Sequence, residues 1–176
     1  MEIPVVRPVR ASHSDAVVAA FEAHGPELIA FVRAFSRSID DAEDLVQEAF
    51  ARLVHEGQTR GFPEHPRAWL FTVCANLARS RARRRAVADK WLGWLPRGGP
   101  ARGADQEAED RATFDDLHRA VLKLPPDRRT AFLLAVDGFR GEEIAQIMGR
   151  SHAATRQLIW RARESLRAEL GEKDRR

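Results

Sequence analysis

The sequence predicts an all-α chain: two small helical domains joined by a flexible linker, the C-terminal one a helix-turn-helix. Three observations carry this reading. Apolar residues recur with a 3.6-residue period along most of the chain, and the period-2 alternation of a half-buried strand is absent. A turn-rich stretch, PRGGPARG at 96–103, and the acidic run 104–110 separate two groups of helical segments. Downstream, a short helical pattern (EEIAQIM), a three-residue turn containing Gly149 and a long pattern opened by Ser151 follow in helix-turn-helix order. The expected divisions are a tail over 1–14, an N-terminal domain over 15–95, a linker over 96–111 and a C-terminal domain over 112–172.

In the first domain, Ser14 is suited to cap a helix patterned through Val17, Ala20 and Phe21 to His24. Gly25-Pro26 is expected to break or kink it before the pattern resumes over 28–35. The clearest periodicity covers 41–54. There Ala42, Leu45, Val46, Ala49, Phe50, Leu53 and Val54 form one stripe, opposite Asp41, Asp44, Gln47, Glu48 and Arg52. Two Gly and two Pro over 55–66 read as a loop, with Pro66 in the first turn of a helix over 67–88. On that helix Trp69, Leu70, Val73 and Leu77 form the expected buried face, and Thr72, Asn76, Arg79 and Arg83 a separate stripe. Trp91 and Trp94 are expected to close this domain's core. In the second domain, 114–124 reads as helix, and Pro125-Pro126 opens another that ends at Gly138. Two more helices lie within 142–170, separated by Gly149, Arg150 and Ser151.

Of the 176 residues, 44% are apolar and 31% charged, which excludes disordered and fibrous classes. Basic residues number 29, only Lys90, Lys123 and Lys173 being lysine, against 26 acids. The net charge of +3 is small, so the position of the charge carries the information about partners. A single cysteine, Cys74, excludes an internal disulfide and a multi-cysteine zinc site and fits a reducing compartment. It falls on an apolar helix side, as a small buried thiol would. No run of 18 apolar residues is present, so no membrane span is expected. Residues 1–14 carry Arg7 and Arg10 without a signal-peptide core, and a cytoplasmic location is expected. The six histidines form no ligand pair at i, i+3 or i, i+4. Neither a phosphate loop nor a nucleophile with its base appears, so the expectation is a protein that is not an enzyme and needs no metal or cofactor.

Three charge patterns point to function. On the last helix Thr155, Ile159, Ala162, Leu166 and Leu170 can pack inward, while Arg156, Gln157, Trp160, Arg163 and Arg167 point away. Arg and Gln there suit base edges or phosphates; a solvated arginine face on an ordinary bundle is the alternative. Between 67 and 90, Arg67, Arg79, Arg81, Arg83, Arg84, Arg85 and Lys90 stand against one acid, Asp89. Such a run fits a phosphate backbone, or else a solvated helix end. Asp40, Asp41, Glu43, Asp44 and Glu48 read as a docking face for a basic partner, or as acids complementing a helix N-terminus. A two-metal nuclease is disfavoured, because no second carboxylate cluster with a general base accompanies them.

Three segments taken together carry a resemblance: DAEDLVQEAFARL (41–53), HPRAWLFTVCANLARSRARRR (65–85) and the stretch 124–170 beginning LPPDRRTAFLLAVDGFRGEEIAQIMGRS. In this order and spacing the chain resembles a bacterial extracytoplasmic-function sigma factor of the sigma-70 family, from about residue 15 onward. The resemblance implies that the 41–53 helix docks on the clamp of the largest subunit of core RNA polymerase, through Asp41, Asp44, Leu45, Gln47, Glu48 and Arg52. It implies that the loop and helix start bearing Arg60, Phe62, His65 and Arg67 capture a flipped base of the promoter −10 element. Asn76, Arg79, Arg83 and Arg84 would face promoter DNA during melting. The helix-turn-helix, through Arg150, Ser151, His152, Arg156, Gln157 and Arg161, would read the −35 element, with the second-largest subunit's flap as a further partner. The acidic linker would thread toward the polymerase active-site cleft, and an anti-sigma factor would hold the chain inactive.

The family's recognition helix commonly reads S-x-G-T-V-K-S-R-L-x-R-A-R. Here Ala153-Ala154-Thr155 replaces its Gly-Thr-Val start, and Leu158 a usual arginine, so the resemblance implies the domain's role but no particular promoter sequence. The competing reading is a stand-alone dimeric helix-turn-helix regulator, which has no use for the acidic face of the 41–53 helix.

Overall fold

The computed structural model describes residues 13–91 and 108–171, with side chains between 85 and 115 left aside. Seven α-helices, and no strand among the described residues, follow in order: α1 (His13–Arg33), α2 (Ile39–Thr59), α3 (Pro66–Trp91), α4 (Ala108–Lys123), α5 (Pro126–Val136), α6 (Gly141–Met148) and α7 (His152–Gly171). The all-α reading and the helix-turn-helix pair α6–α7 are thus present.

Local chemistry explains most of the boundaries. Ser38 caps α2, its Oγ accepting from Asp41 N at 3.1 Å. Gly61, at φ 99°, ends it, with Arg60 N and Gly61 N both donating to Glu56 O. Pro66 opens α3, where its missing N–H is no loss. The turn between α6 and α7 rests on Gly149 at φ 62°, which lets Arg150 N reach back to Ala145 O at 2.9 Å. Ser151 Oγ then accepts from Ala154 N at 3.3 Å to start α7.

Three boundaries and one buried face differ from the sequence-based expectation. Gly25-Pro26 does not break α1, and Ser14 lies inside its first turn. A proline inside a helix costs roughly 3 kcal/mol. Leu28, Phe31 and Val32, almost wholly buried beyond it, are worth roughly 1.5–3 kcal/mol each, so continuing the helix wins. Helix α2 runs on through 55–59, because Gly57 is a packing residue there: a Cβ would meet His13 at 3.2 Å and Phe62 at 3.7 Å. Helix α4 begins at Ala108, ahead of the expected 114, so 108–111 belong to it and not to a linker. The rest of that linker, and Trp94, fall outside the described residues.

The fourth difference concerns α3. Leu70, Leu77 and the Cys74 thiol are buried as expected, but so are Phe71, Ala75 and Ala78, while Trp69 and Val73 are only half-buried. Helices α1 and α2 pack on one side of α3, and α5 and α6 on another. One core therefore runs from α1 and α2 through α3 to Leu134, Phe139, Ile144 and Met148. A smaller core, with Val121, Leu124, Ala162 and Leu166, joins α4 to α7. The two halves are docked together, against the expectation of independent domains.

Candidate nucleic-acid interface

The outer face of α2 follows from its buried face. With Leu45, Val46, Ala49 and Leu53 in the core, Asp44, Gln47, Glu48 and Arg52 must point to solvent, and they are exposed. Arg52 Nη2 pairs with Glu48 Oε1 at 2.6 Å, one turn back. Two expected members of this face are corrected. Leu45 is 1% exposed and belongs to the core. Asp41 is half-buried, its carboxylate paired with Arg81 and accepting from Arg37 N at 3.1 Å, so it pins α2 to α3. Arg81, counted above with the basic run, is consumed by that pair.

The α3 stripe is assembled as expected at Asn76, Arg83 and Arg84, all exposed. Arg79 is half-buried: it donates to Asn76 Oδ1 at 2.7 Å, and burial lowers its pKa. Arg52 of α2 lines the same shallow hollow as Asn76, Arg79, Ser80 and Arg83. Three guanidinium groups thus converge where the sequence placed two, because 52 and 79 become neighbours only when α2 and α3 pack. The hollow suits an anionic backbone.

In the loop before α3, Arg60 and His65 are exposed, while Phe62 is half-buried against the core. Arg67 is the most heavily engaged residue of the set. Its Nε donates to Glu27 Oε2 at 3.1 Å, and Nη2 reaches both Glu27 Oε1 and, at 2.6 Å, the carbonyl of Asp137. The hydrogen bond to Glu27 is the main cause of its raised pKa. The Asp137 carboxyl is pushed up to about 6, by burial first and then by the charge of Glu27, with Arg67 opposing both.

On α7, Thr155, Ala162 and Leu166 are buried and Ile159 is partly so. Arg156, Gln157 and Arg161 are exposed with Arg163 and Arg167, which fits the outward face read from the sequence. Ser151 is the cap, and His152 lies over α6, since a Cβ on Gly141 would come within 2.9 Å of its Nε2. Arg150 is ion-paired with Asp127 of α5. Trp160, 61% exposed, stands between Arg156 and Arg163 and lines a groove with Ala135 and Phe139. No group of three or more metal-ligating side chains occurs among the described residues, and no described helix is long and apolar enough to cross a membrane.

Comparison with known proteins matches both halves. The family model for Sigma-70 region 2 covers residues 20–87, and that for Sigma-70, region 4, covers 114–166. The RNA polymerase sigma factor CarQ of Myxococcus xanthus is 33% identical over 164 residues, spanning 90% of this chain and 91% of the relative. The ECF RNA polymerase sigma factor EcfG of Rhodopseudomonas palustris is 34% identical over 168 residues, 93% of this chain and 87% of its own. Among solved structures, the sigma factor RpoE in complex with the anti-sigma factor NepR from Bartonella quintana aligns with a TM-score of 0.73 at 26% identity, over 89% of this chain and 97% of that one. CnrH in complex with the cytosolic domain of CnrY aligns with a TM-score of 0.65 at 26% identity, over 90% of each. The chain belongs to the extracytoplasmic-function group of RNA polymerase sigma factors.

Proposed function

We propose that this sigma factor binds core RNA polymerase through Asp44, Gln47, Glu48 and Arg52 and opens promoter DNA with the α3 surface, while α7 holds the duplex upstream. The observation that carries the reading is the separation of charge: an exposed acidic face on α2, and basic surfaces on α3 and α7. An acidic face suits a positively charged protein partner and repels DNA; the arginine surfaces suit phosphates. Base reading falls to Arg156 and Gln157, early on α7, and Arg161 lies one turn further on to meet phosphate. In the α2–α3 region, Asn76 and Arg83 face the strand that separates, and Arg60 and His65 flank it.

Being a specificity subunit, the chain performs no covalent step; it lowers the cost of melting by binding unpaired bases. An anti-sigma factor as inhibitor fits the two structural relatives, each of which was solved with a bound partner. The test is pull-down of core polymerase, followed by run-off transcription with and without the chain. Asp44→Arg with Glu48→Arg should abolish both while leaving the helical circular-dichroism signal unchanged, since surface changes usually stay within about 0.5 kcal/mol. Full binding by a folded double variant would overturn the α2 assignment.

A further inference from the structure

Arg52, placed above with the polymerase face, stands on the edge of α2 that turns toward α3. At about 100° per residue it lies roughly 20° from Asp41, three turns earlier on the helix. Asp41 is the residue whose carboxylate is held by Arg81 of α3. Gln47, on the far edge of the same polar face, lies roughly 140° from Arg52. The two edges are therefore not equivalent. A basic partner drawn to Asp44 and Glu48 is repelled by a guanidinium, so Arg52 contributes nothing to that attraction beyond neutralising Glu48.

What Arg52 does line is the hollow of about 430 Å³ bounded on α3 by Asn76, Leu77, Arg79, Ser80 and Arg83, with room for a sugar-phosphate unit. No carboxylate lines it among the described residues. Arg79 is already engaged, by Asn76 Oδ1 and by the carbonyls of Ala75 and Met148. Arg52 donates one of its five N–H groups to Glu48 Oε1 at 2.6 Å, and its side chain is 53% exposed. Arg83 is exposed as well. Three guanidinium groups without an acid among them leave positive charge for an external anion to balance. Two exposed forks on neighbouring helices suit the oxygens of one phosphate.

We propose that Arg52 is a nucleic-acid residue: together with Arg83 it clamps one backbone phosphate of the separated strand, and the Glu48 carboxylate holds its guanidinium at the lip of the hollow as that phosphate's stand-in. The proposal rests on the assignment of Asn76 and Arg83 to this strand and extends it from α3 to α2. Each helix supplies one arm of the clamp, so the clamp exists only while α2 and α3 keep the packing that the Asp41–Arg81 pair fastens.

The test is binding of the full-length protein to a fluorescein-labelled oligothymidylate of about 20 nucleotides, read as anisotropy between about 50 and 200 mM salt. Every arm carries R156A and R161A, so that α7 offers less of a competing seat, and this chain is the reference. R52A should weaken binding several-fold at the lowest salt. It should also make the slope of log K against log salt shallower by about 0.7, the value of one phosphate contact on a single strand. A merely structural role would not move that slope. R52K keeps a cation at the lip and should keep the slope. E48Q frees the fork and should tighten binding about twofold, the worth of an exposed i, i+4 pair, and the gain should shrink once R52A is added. R83A tests the underlying reading and should flatten the slope as R52A does. If R83A flattens it while R52A leaves affinity and slope at the reference values, Arg52 is no part of the clamp, and the strand belongs to α3 alone. If neither changes the slope, the hollow does not hold the strand, and the α3 reading falls with the clamp. Thymidine monophosphate at the same nucleotide concentration should displace little of the oligonucleotide; full displacement would make the hollow a seat for a free nucleotide and overturn the proposal.

Discussion

Asp41 and Asp44 share the polar side of one helix and part company in the fold: one is pinned to Arg81 and an amide, the other is open to solvent. Their difference is set by an arginine 40 residues away, which no local pattern reports. Arg129 is the same case. It lies over Phe35, donates to the carbonyls of Ala34, Leu122 and Leu124, and burial lowers its pKa, yet in the sequence it is one arginine among many. Thr155, by contrast, was legible as an inward residue, and its chemistry yields a prediction. Its Oγ1 is buried without a hydrogen-bond partner, and an unsatisfied buried polar atom costs roughly 1–3 kcal/mol. Thr155→Val keeps the shape and removes the hydroxyl, so thermal unfolding should show no loss of stability and a gain of up to about 1 kcal/mol. A clear drop in the melting midpoint would mean that the hydroxyl has a partner.

Among the elements, the buried stripes of α2 and α7 were read from periodicity, because each helix buries one stripe and leaves one face polar; α2's last turn over 55–59 and the exposure of Val54 were not. Helix α3 was not, since a helix buried from two sides has no single stripe to find: Cys74 was read as a buried thiol, but Phe71, Ala75 and Ala78 went unassigned. The distinct placement of α3 and α7 predicts distinct defects. Alanine at Asn76, Arg79 and Arg83 should leave promoter occupancy by the holoenzyme partly intact and reduce strand opening, read as permanganate reactivity of unpaired thymines. Alanine at Arg156 and Gln157 should weaken capture of the duplex by roughly 1–3 kcal/mol per lost base contact, with opening normal once bound. The same pure loss of duplex affinity in both variants would refute the division of labour.

At the scale of the molecule, PRGGPARG suggested two bodies free of each other, whereas the apolar surplus of α3 is covered by α5 and α6. Composition reports the connection between two domains and says nothing of the complementarity of their faces. That complementarity includes one half-buried acid, and it makes docking pH-dependent. Asp137 has a pKa of about 6 in the docked chain, and on opening it should return toward the ordinary carboxyl value near 4. A raised carboxyl means that the docked form binds the extra proton. Docking should therefore strengthen as pH falls through 6, gain nothing further from Asp137 below about 4, and carry the full cost of the buried charge above 6. The change stays under tenfold per pH unit, because one proton is involved and the site is partly solvated. The charged groups that act on it are Glu27 on α1, whose Oε2 lies 4.0 Å from His24 Nδ1, and Arg67 on α3, on which Glu143 of α6 acts in turn. In a His24→Gln background, energy transfer between the halves should still rise between pH 7 and pH 5. Asp137→Asn should hold the docked level across that range. A parent indifferent to pH, or an Asp137→Asn chain that responds as the parent does, would show that the proton binds elsewhere.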